Sequence, residues 1–165
     1  MKLINALRSV ENHIPDPASG LPEELFLAIS RMTPMVNVDL LVQDENGRTL
    51  LSWRDDRFSG AGGHVPGGVI RFRERLEHRL LKVAELEIGA SVEYDPVPVA
   101  VNQIIDPSLP ARSHFISILY RCYLGSAFEP VNHRRSATTP GYLKWHASCP
   151  ENLIKVHDIY RSFLH

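Results

Sequence analysis

Hydrophobic spacing along the chain is of two kinds, and the change between them comes near residue 33. Leu3, Ala6, Leu7 and Val10 recur three and four apart, as on one face of a helix, and Pro15 and Pro17 end that run. A second helix is expected after Gly20. Pro22 suits a first turn, Glu23 and Glu24 favour the positive N-terminal dipole, and Leu25, Ala28 and Ile29 form the apolar stripe. From Met35 the pattern becomes that of strands. MVNVDLLVQ and RTLLSW flank Asp44-Glu45-Asn46-Gly47, and an Asn-Gly step between apolar runs predicts a hairpin, because both residues tolerate positive φ. A Gly-rich loop, DDRFSGAGGHVPGG, follows, and helical spacing returns over Glu74 to Ile88 with Leu76, Leu80, Val83 and Ala84 on one side. Phe115 to Tyr123 is β-branched and aromatic enough to be a buried strand. Leu153, Val156, Ile159, Tyr160 and Phe163 predict a last helix. No internal repeat or low-complexity tract is found.

Composition changes this picture little but closes off several classes. The 165 residues suit one domain of about 150 with a short appendage. A share of 44% hydrophobic residues is enough for a real core. Eighteen Lys and Arg against nineteen Asp and Glu leave a net charge of −1, so no nucleic-acid partner is expected. No apolar run approaches the ~18 residues of a membrane span. Asn5, Arg8, Glu11 and Asn12 break up the N-terminus, which lacks the core of a signal peptide. Cys122 and Cys149 have no C-x-x-C spacing, and the eight His show no H-E-x-x-H pair. A cytoplasmic protein without a membrane partner is the expectation.

The informative stretch is HVPGGVIRFRERLEHRLLKVAELEIGA, residues 64–90. Gly68 is followed after five residues by Glu74, and after twelve more by Glu87 and then Gly89. This resembles the Nudix box, GX5EX7REUXEEXGU with U aliphatic. Lys82 stands where the box has Arg, and Ala84 and Ala90 take the aliphatic positions. Two of the three helix carboxylates that hold several magnesium ions in that family are absent here, replaced by Val83 and Leu86. Positions 83 and 87 share a helical face, whereas Glu85, two residues before Glu87, points nearly the opposite way.

The GDP-mannose mannosyl hydrolase subfamily also keeps only the last Glu, in an AEL-like context. Residues 33–54, the HVPGG segment and the C-terminal WHASCPENLIKVHDIYRSFL resemble that subfamily as well. The resemblance implies an α/β fold, the Nudix α/β/α sandwich with a mixed sheet, over residues 33–165, after an N-terminal helical extension over 1–32. It implies hydrolysis of a nucleotide sugar, GDP-mannose or GDP-glucose, by water attack at the anomeric carbon to give GDP and free sugar. One Mg²⁺, with Mn²⁺ as the alternative, then neutralises the leaving diphosphate, a task for which few protein ligands are needed.

By this resemblance the metal is held by Glu87, the carbonyl of Gly68 and Asn132, and the phosphates meet Arg54 and Lys82. Arg71 stands in for an Arg expected where the chain has Val69, and Asp39 touches the ligand. His133, next to Asn132, is the expected base, because imidazole titrates near neutral pH. His146 competes with it for that role. Arg73, Arg75 and Arg79, alternating with Glu74 and Glu77, read as a solvated helix start, and Phe115, Tyr120 and Trp145 as core. A homodimer is expected, to which the N-terminal helices contribute. The competing readings are a Nudix pyrophosphatase attacking phosphorus and a non-catalytic nucleotide-binding module.

Overall fold

The structure is a computed structural model that describes residues 2–164; Met1 and His165, the outer bounds of the two expected segments, lie outside it. The expected helices of the extension form as α1, Leu3–Glu11, and α2, Glu23–Ile29. Neither buries a residue completely, and Leu3, Leu7 and Val10 of α1 stay exposed.

Among the described residues eight strands make one mixed sheet. They are β1 (Met35–Gln43), β2 (Thr49–Asp56), β3 (Gly60–His64), β4 (Gly67–Val69), β5 (Glu93–Tyr94), β6 (Ala100–Ile105), β7 (His114–Tyr123) and β8 (Leu143–His146). The spine runs β3-β2-β1-β7-β5, with β4 on β1, β6 on β7 and β8 on β2. Only β1 and β7 are parallel, paired from Met35↔Phe115 to Gln43↔Tyr123. Side chains alternate across β1. Val38, Leu40 and Val42 meet Leu80, Val83, Ala84 and Ile88 on one face. Leu41 packs on the other with Leu51, Leu119, Tyr160 and Leu164. Both faces are covered, so the fold is the expected sandwich. No helix among the described residues is long and apolar enough to cross a membrane.

Four local expectations are corrected. In the first hairpin only Gly47 takes positive φ. Asp44 organises that turn, accepting from the backbone N–H of Asn46 and Arg48 and pairing with the Arg48 guanidinium at 2.7 Å. The Gly-rich stretch read as loop is instead β3 and β4. Its glycines admit another backbone: a Cβ on Gly62 would meet the Asn152 carbonyl at 2.5 Å, and Gly63 exchanges hydrogen bonds with Asn152 and Ile154.

The box helix α3 spans Leu76–Val83 and continues as a π-turn, Ala84–Ile88, before Gly89 closes it at φ 78°. The last element is a 3₁₀ helix, Lys155–Phe163, rather than an α-helix. Its inward residues follow a period of three: Ile154, His157 and Tyr160 are buried, while Ile159 faces out. Strands β5, β6 and β8 were not expected: β5 and β8 are only two and four residues long, and β6 alternates half-buried and exposed positions with none fully buried.

Candidate functional site

Two clefts meet at Arg54 on β2 and His64 on β3, and both residues line both of them. The first lies over the sheet face that carries Asp39, bounded by Gly67, Gly68, Phe58, Arg112 and His157. The second opens toward the π-turn and the loop after β7, where Glu87, His133 and Arg135 converge.

Asp39 forms the floor of the first cleft. Its Oδ2 accepts from Ser117 at 2.5 Å and from the Tyr160 hydroxyl, and its Oδ1 accepts from Asn37 Nδ2 at 2.8 Å. Burial pushes its carboxyl above the ordinary range, against the opposing pull of those donors. Tyr160 is pushed up too, by burial and by the facing Asp39. Gly67 is required here for space, since a Cβ would come within 2.0 Å of Asp39 Oδ1. His157 Nδ1 accepts from the Val65 N–H at 3.1 Å, so that nitrogen carries no proton. Burial, then the nearby His64 and Arg54, hold His157 well below its ordinary value and keep it neutral.

His64 is the residue at the junction, only 5% exposed. Its Nδ1 donates to the Ser52 carbonyl at 2.8 Å, so in the neutral imidazole Nε2 carries the lone pair. That atom is buried without a hydrogen-bond partner and faces Glu87 Oε2 at 3.4 Å. The pair can be joined in two ways: by a proton on Nε2, or by a cation between a neutral imidazole and the carboxylate. The two are close enough for one ion with bonds of about 2.0–2.2 Å to touch both. Among the described residues no group of three His, Cys, Asp or Glu gathers as a metal site, so further ligands must come from substrate and water. With that addition, the residues present fit one divalent cation.

No family model matches the chain. Over 118 residues it is 33% identical to the low-salt glycan biosynthesis protein Agl8 of Haloferax volcanii, with 72% of each chain covered. Its fold is similar to that of a MutT Nudix hydrolase from Burkholderia pseudomallei, with a TM-score of 0.63 at 21% identity over 81% of this chain and 99% of that one. The Nudix domain of Shewanella oneidensis NrtR, crystallised with ADP-ribose, is also similar in fold, with a TM-score of 0.50 at 14% identity over 88% and 82%. The chain belongs to the same family as Agl8, and its fold is that of the Nudix hydrolases.

The positions of the Nudix box can now be followed one by one. Glu74 is nearly buried and pairs with Arg79 at 2.7 Å, so Arg79 is not the solvated residue expected. Burial raises Glu74, but the Arg79 guanidinium and the Arg71 N–H outweigh it and hold the carboxyl low. Removing either partner would leave a buried charge, at a cost of about 3–5 kcal/mol. Val83, 3% exposed, fills the space under Gly68, where a Cβ would come within 2.9 Å of Val83 Cγ2. Leu86 is turned outward and 64% exposed. Glu87 is therefore the one carboxylate of the metal-binding trio that remains.

Three expected site residues lie elsewhere. Lys82 pairs with Glu85 at 2.9 Å and lines neither cleft. Arg71 donates to the Ser19 carbonyl and so holds the extension. Asn132 gives both ends of its amide to the backbone of Leu143, at 2.8 Å each, and has no free oxygen aimed at a metal. Gly68 lines the first cleft, not the one that holds Glu87. Of the two histidines, His133 shares the second cleft with Glu87 and Arg54. His146 lines a third hollow beside Lys144, where burial and that Lys lower its pKa. Phe115 lines the first cleft, whereas Tyr120 and Trp145 pack in or against the core as expected. No role was expected for His64, His157 or Arg112. An unusual His two residues before a Pro-Gly-Gly step was the one available signal.

Proposed function

We propose that this Nudix protein hydrolyses a nucleotide-diphosphate sugar, GDP-mannose or GDP-glucose, to nucleoside diphosphate and free sugar. One observation carries the reading: of the three box-helix positions that bear metal-binding carboxylates in the resemblance, only Glu87 keeps one, while Val83 and Leu86 offer no metal ligand. Attack on phosphorus with several ions needs the carboxylates this helix has lost. Release of an intact diphosphate needs one. The likeness to a glycan biosynthesis protein supports a sugar-linked substrate, and a nucleotide-diphosphate sugar is what the NrtR domain holds.

In this reading Glu87 and His64 hold one Mg²⁺ or Mn²⁺, which supplies charge neutralisation for the leaving diphosphate. Arg54, reaching both clefts, draws the phosphate oxygens to the same place. His133 takes a proton from water as the water oxygen bonds to the anomeric carbon. The carbon–oxygen bond to phosphate breaks, its electron pair leaves with the diphosphate, and the configuration inverts.

The decisive experiment is incubation with GDP-mannose and Mg²⁺ or Mn²⁺ in ¹⁸O-water. GDP and mannose labelled at the anomeric oxygen are expected. GMP with mannose 1-phosphate would instead establish a pyrophosphatase. Saturable binding without turnover would establish a binding module.

A further inference from the structure

We propose that Arg112 is the second anion-binding arginine of the first cleft and that the N-terminal extension seats it, so that the extension forms part of the binding site. The ligand class is a diphosphate group, and in that respect the inference rests on the proposed function. Arg112 belongs to the turn between β6 and β7 and takes φ 55°, a conformation that non-glycine residues rarely adopt. A hydrogen bond from outside the turn holds it there. Its backbone N–H donates to Ser30 Oγ at 3.0 Å, across 82 residues of chain, and Ser30 in turn donates to the Leu27 carbonyl at 2.9 Å. Two aromatic rings fix the guanidinium: Phe58 lies 4.9 Å away and Phe26 of α2 5.8 Å. The backbone of Arg112 is therefore held by Ser30 of the extension, and its side chain lies between Phe26 of the extension and Phe58 after β2.

What this seating presents is an unpaired cation. Arg112 Nε is buried and has no acceptor. The neighbouring carboxylates are otherwise engaged. Glu23 pairs with Arg57 at 2.6 Å. Asp56 accepts from the N–H groups of Phe58 and Ser59 and faces Arg54 at 3.7 Å. Asp106, on the same cleft wall, accepts from Ser108. Among the described residues Arg112 makes no ion pair, and Arg54, a like charge, lines the same cleft. Two guanidinium groups that repel each other and share one hollow are relieved by an anion between them. Arginine matches phosphate oxygens with two parallel N–H donors. The Cβ-free wall at Gly67 and Gly68 and the ring of Phe115 leave the rest of the hollow open to a group that carries its own apolar or sugar substituent.

The test measures calorimetric binding of GDP and of inorganic pyrophosphate to the full chain, which needs no turnover. Arg112→Gly removes the guanidinium and keeps a residue that accepts positive φ, so folding is preserved. It should weaken both ligands about tenfold or more and flatten the dependence of affinity on salt. Ser30→Ala should weaken both severalfold, and Ser30→Thr should restore them, since only the Oγ acceptor is at issue. Wild-type affinity in Arg112→Gly would overturn the inference, as would Ser30→Ala and Ser30→Thr behaving alike. The underlying reading fails separately. If pyrophosphate binds through Arg112 yet no nucleotide sugar is cleaved, the anion site stands and the hydrolase reading falls. If GDP is released while Arg112→Gly leaves KM unchanged, the reverse holds.

Discussion

The two clefts that meet at Arg54 and His64 are built on opposite principles. In the first, Asp39 and His157 are buried, and their charge is set by burial and by fixed donors. In the second, Glu87 is partly open to water and His133 stands on an exposed loop. A buried group with all its hydrogen bonds satisfied holds its shape and its proton but exchanges neither. A group on an open loop can exchange a proton with water. The first cleft is thus suited to gripping, and the second to chemistry. His64 belongs to both, with one ring nitrogen tied to the sheet and the other turned toward Glu87.

The largest expected effect falls on the open side. His133→Ala should lower kcat by ~10²–10⁴ and leave GDP affinity and melting temperature as they are. An unchanged kcat would move the base away from this loop, with His146 next in line. Glu87→Gln should cost a further ligand of the cation. Mn²⁺ binding, read by electron paramagnetic resonance without substrate turnover, should weaken by roughly 10²-fold, and pyrophosphate binding in the first cleft should survive in the absence of metal. If pyrophosphate binding is lost too, the two clefts are not separable.

His64→Phe tests the junction. A nitrogen donor favours Mn²⁺ over Mg²⁺, so the wild type should prefer Mn²⁺, and the variant should lose that preference, with Mn²⁺ binding about tenfold weaker. Equal Mn²⁺ and Mg²⁺ affinities in the wild type would show that the Nε2 atom is not a ligand.

The smallest effect lies in the buried cleft. Burial raises Asp39, so the folded chain holds that proton more tightly than the unfolded chain does. The stability this contributes is present below the ordinary carboxylate range near pH 4 and is lost as pH rises through the folded value. Relative to Asp39→Asn, the wild-type melting temperature should therefore fall as pH rises from about 4. A difference that stays flat across that range would mean Asp39 is ionised throughout.

How far the sequence could be read follows the same division. The box positions are local, separated by fixed numbers of residues, so Gly68, Glu74, Glu87 and Gly89, together with the losses at 83 and 86, were legible at once. So were β1, β7 and α3, from their spacing, whereas the sandwich that joins them was expected from the resemblance to the Nudix box. What escaped depends on partners far along the chain. Arg79 is buried because it meets Glu74 once the helix starts at Leu76, and Lys82 is turned out to Glu85. Asn132 is used by Leu143, eleven residues on, which no spacing rule reveals. His64 was hidden inside a Gly-rich strand that reads as loop until Asn152 and Ile154 are known to lie against it. Arg112 needs Ser30, and the extension seemed a mere appendage for the same reason.

The parallel pairing of β1 with β7 reaches beyond architecture. Asp39 and Ser117, hydrogen-bonded to each other across it, are 78 residues apart, and the whole Nudix box lies in the chain between them. Hairpins and helices in that interval can form early from neighbours, but the floor of the first cleft closes only when its two distant strands find each other. Pairing at such separation is slow, because the entropy of closing the loop is lost before the contacts compensate. The box helix can therefore be wound, and Glu87 in place, well before the groove that would bind the rest of the substrate exists.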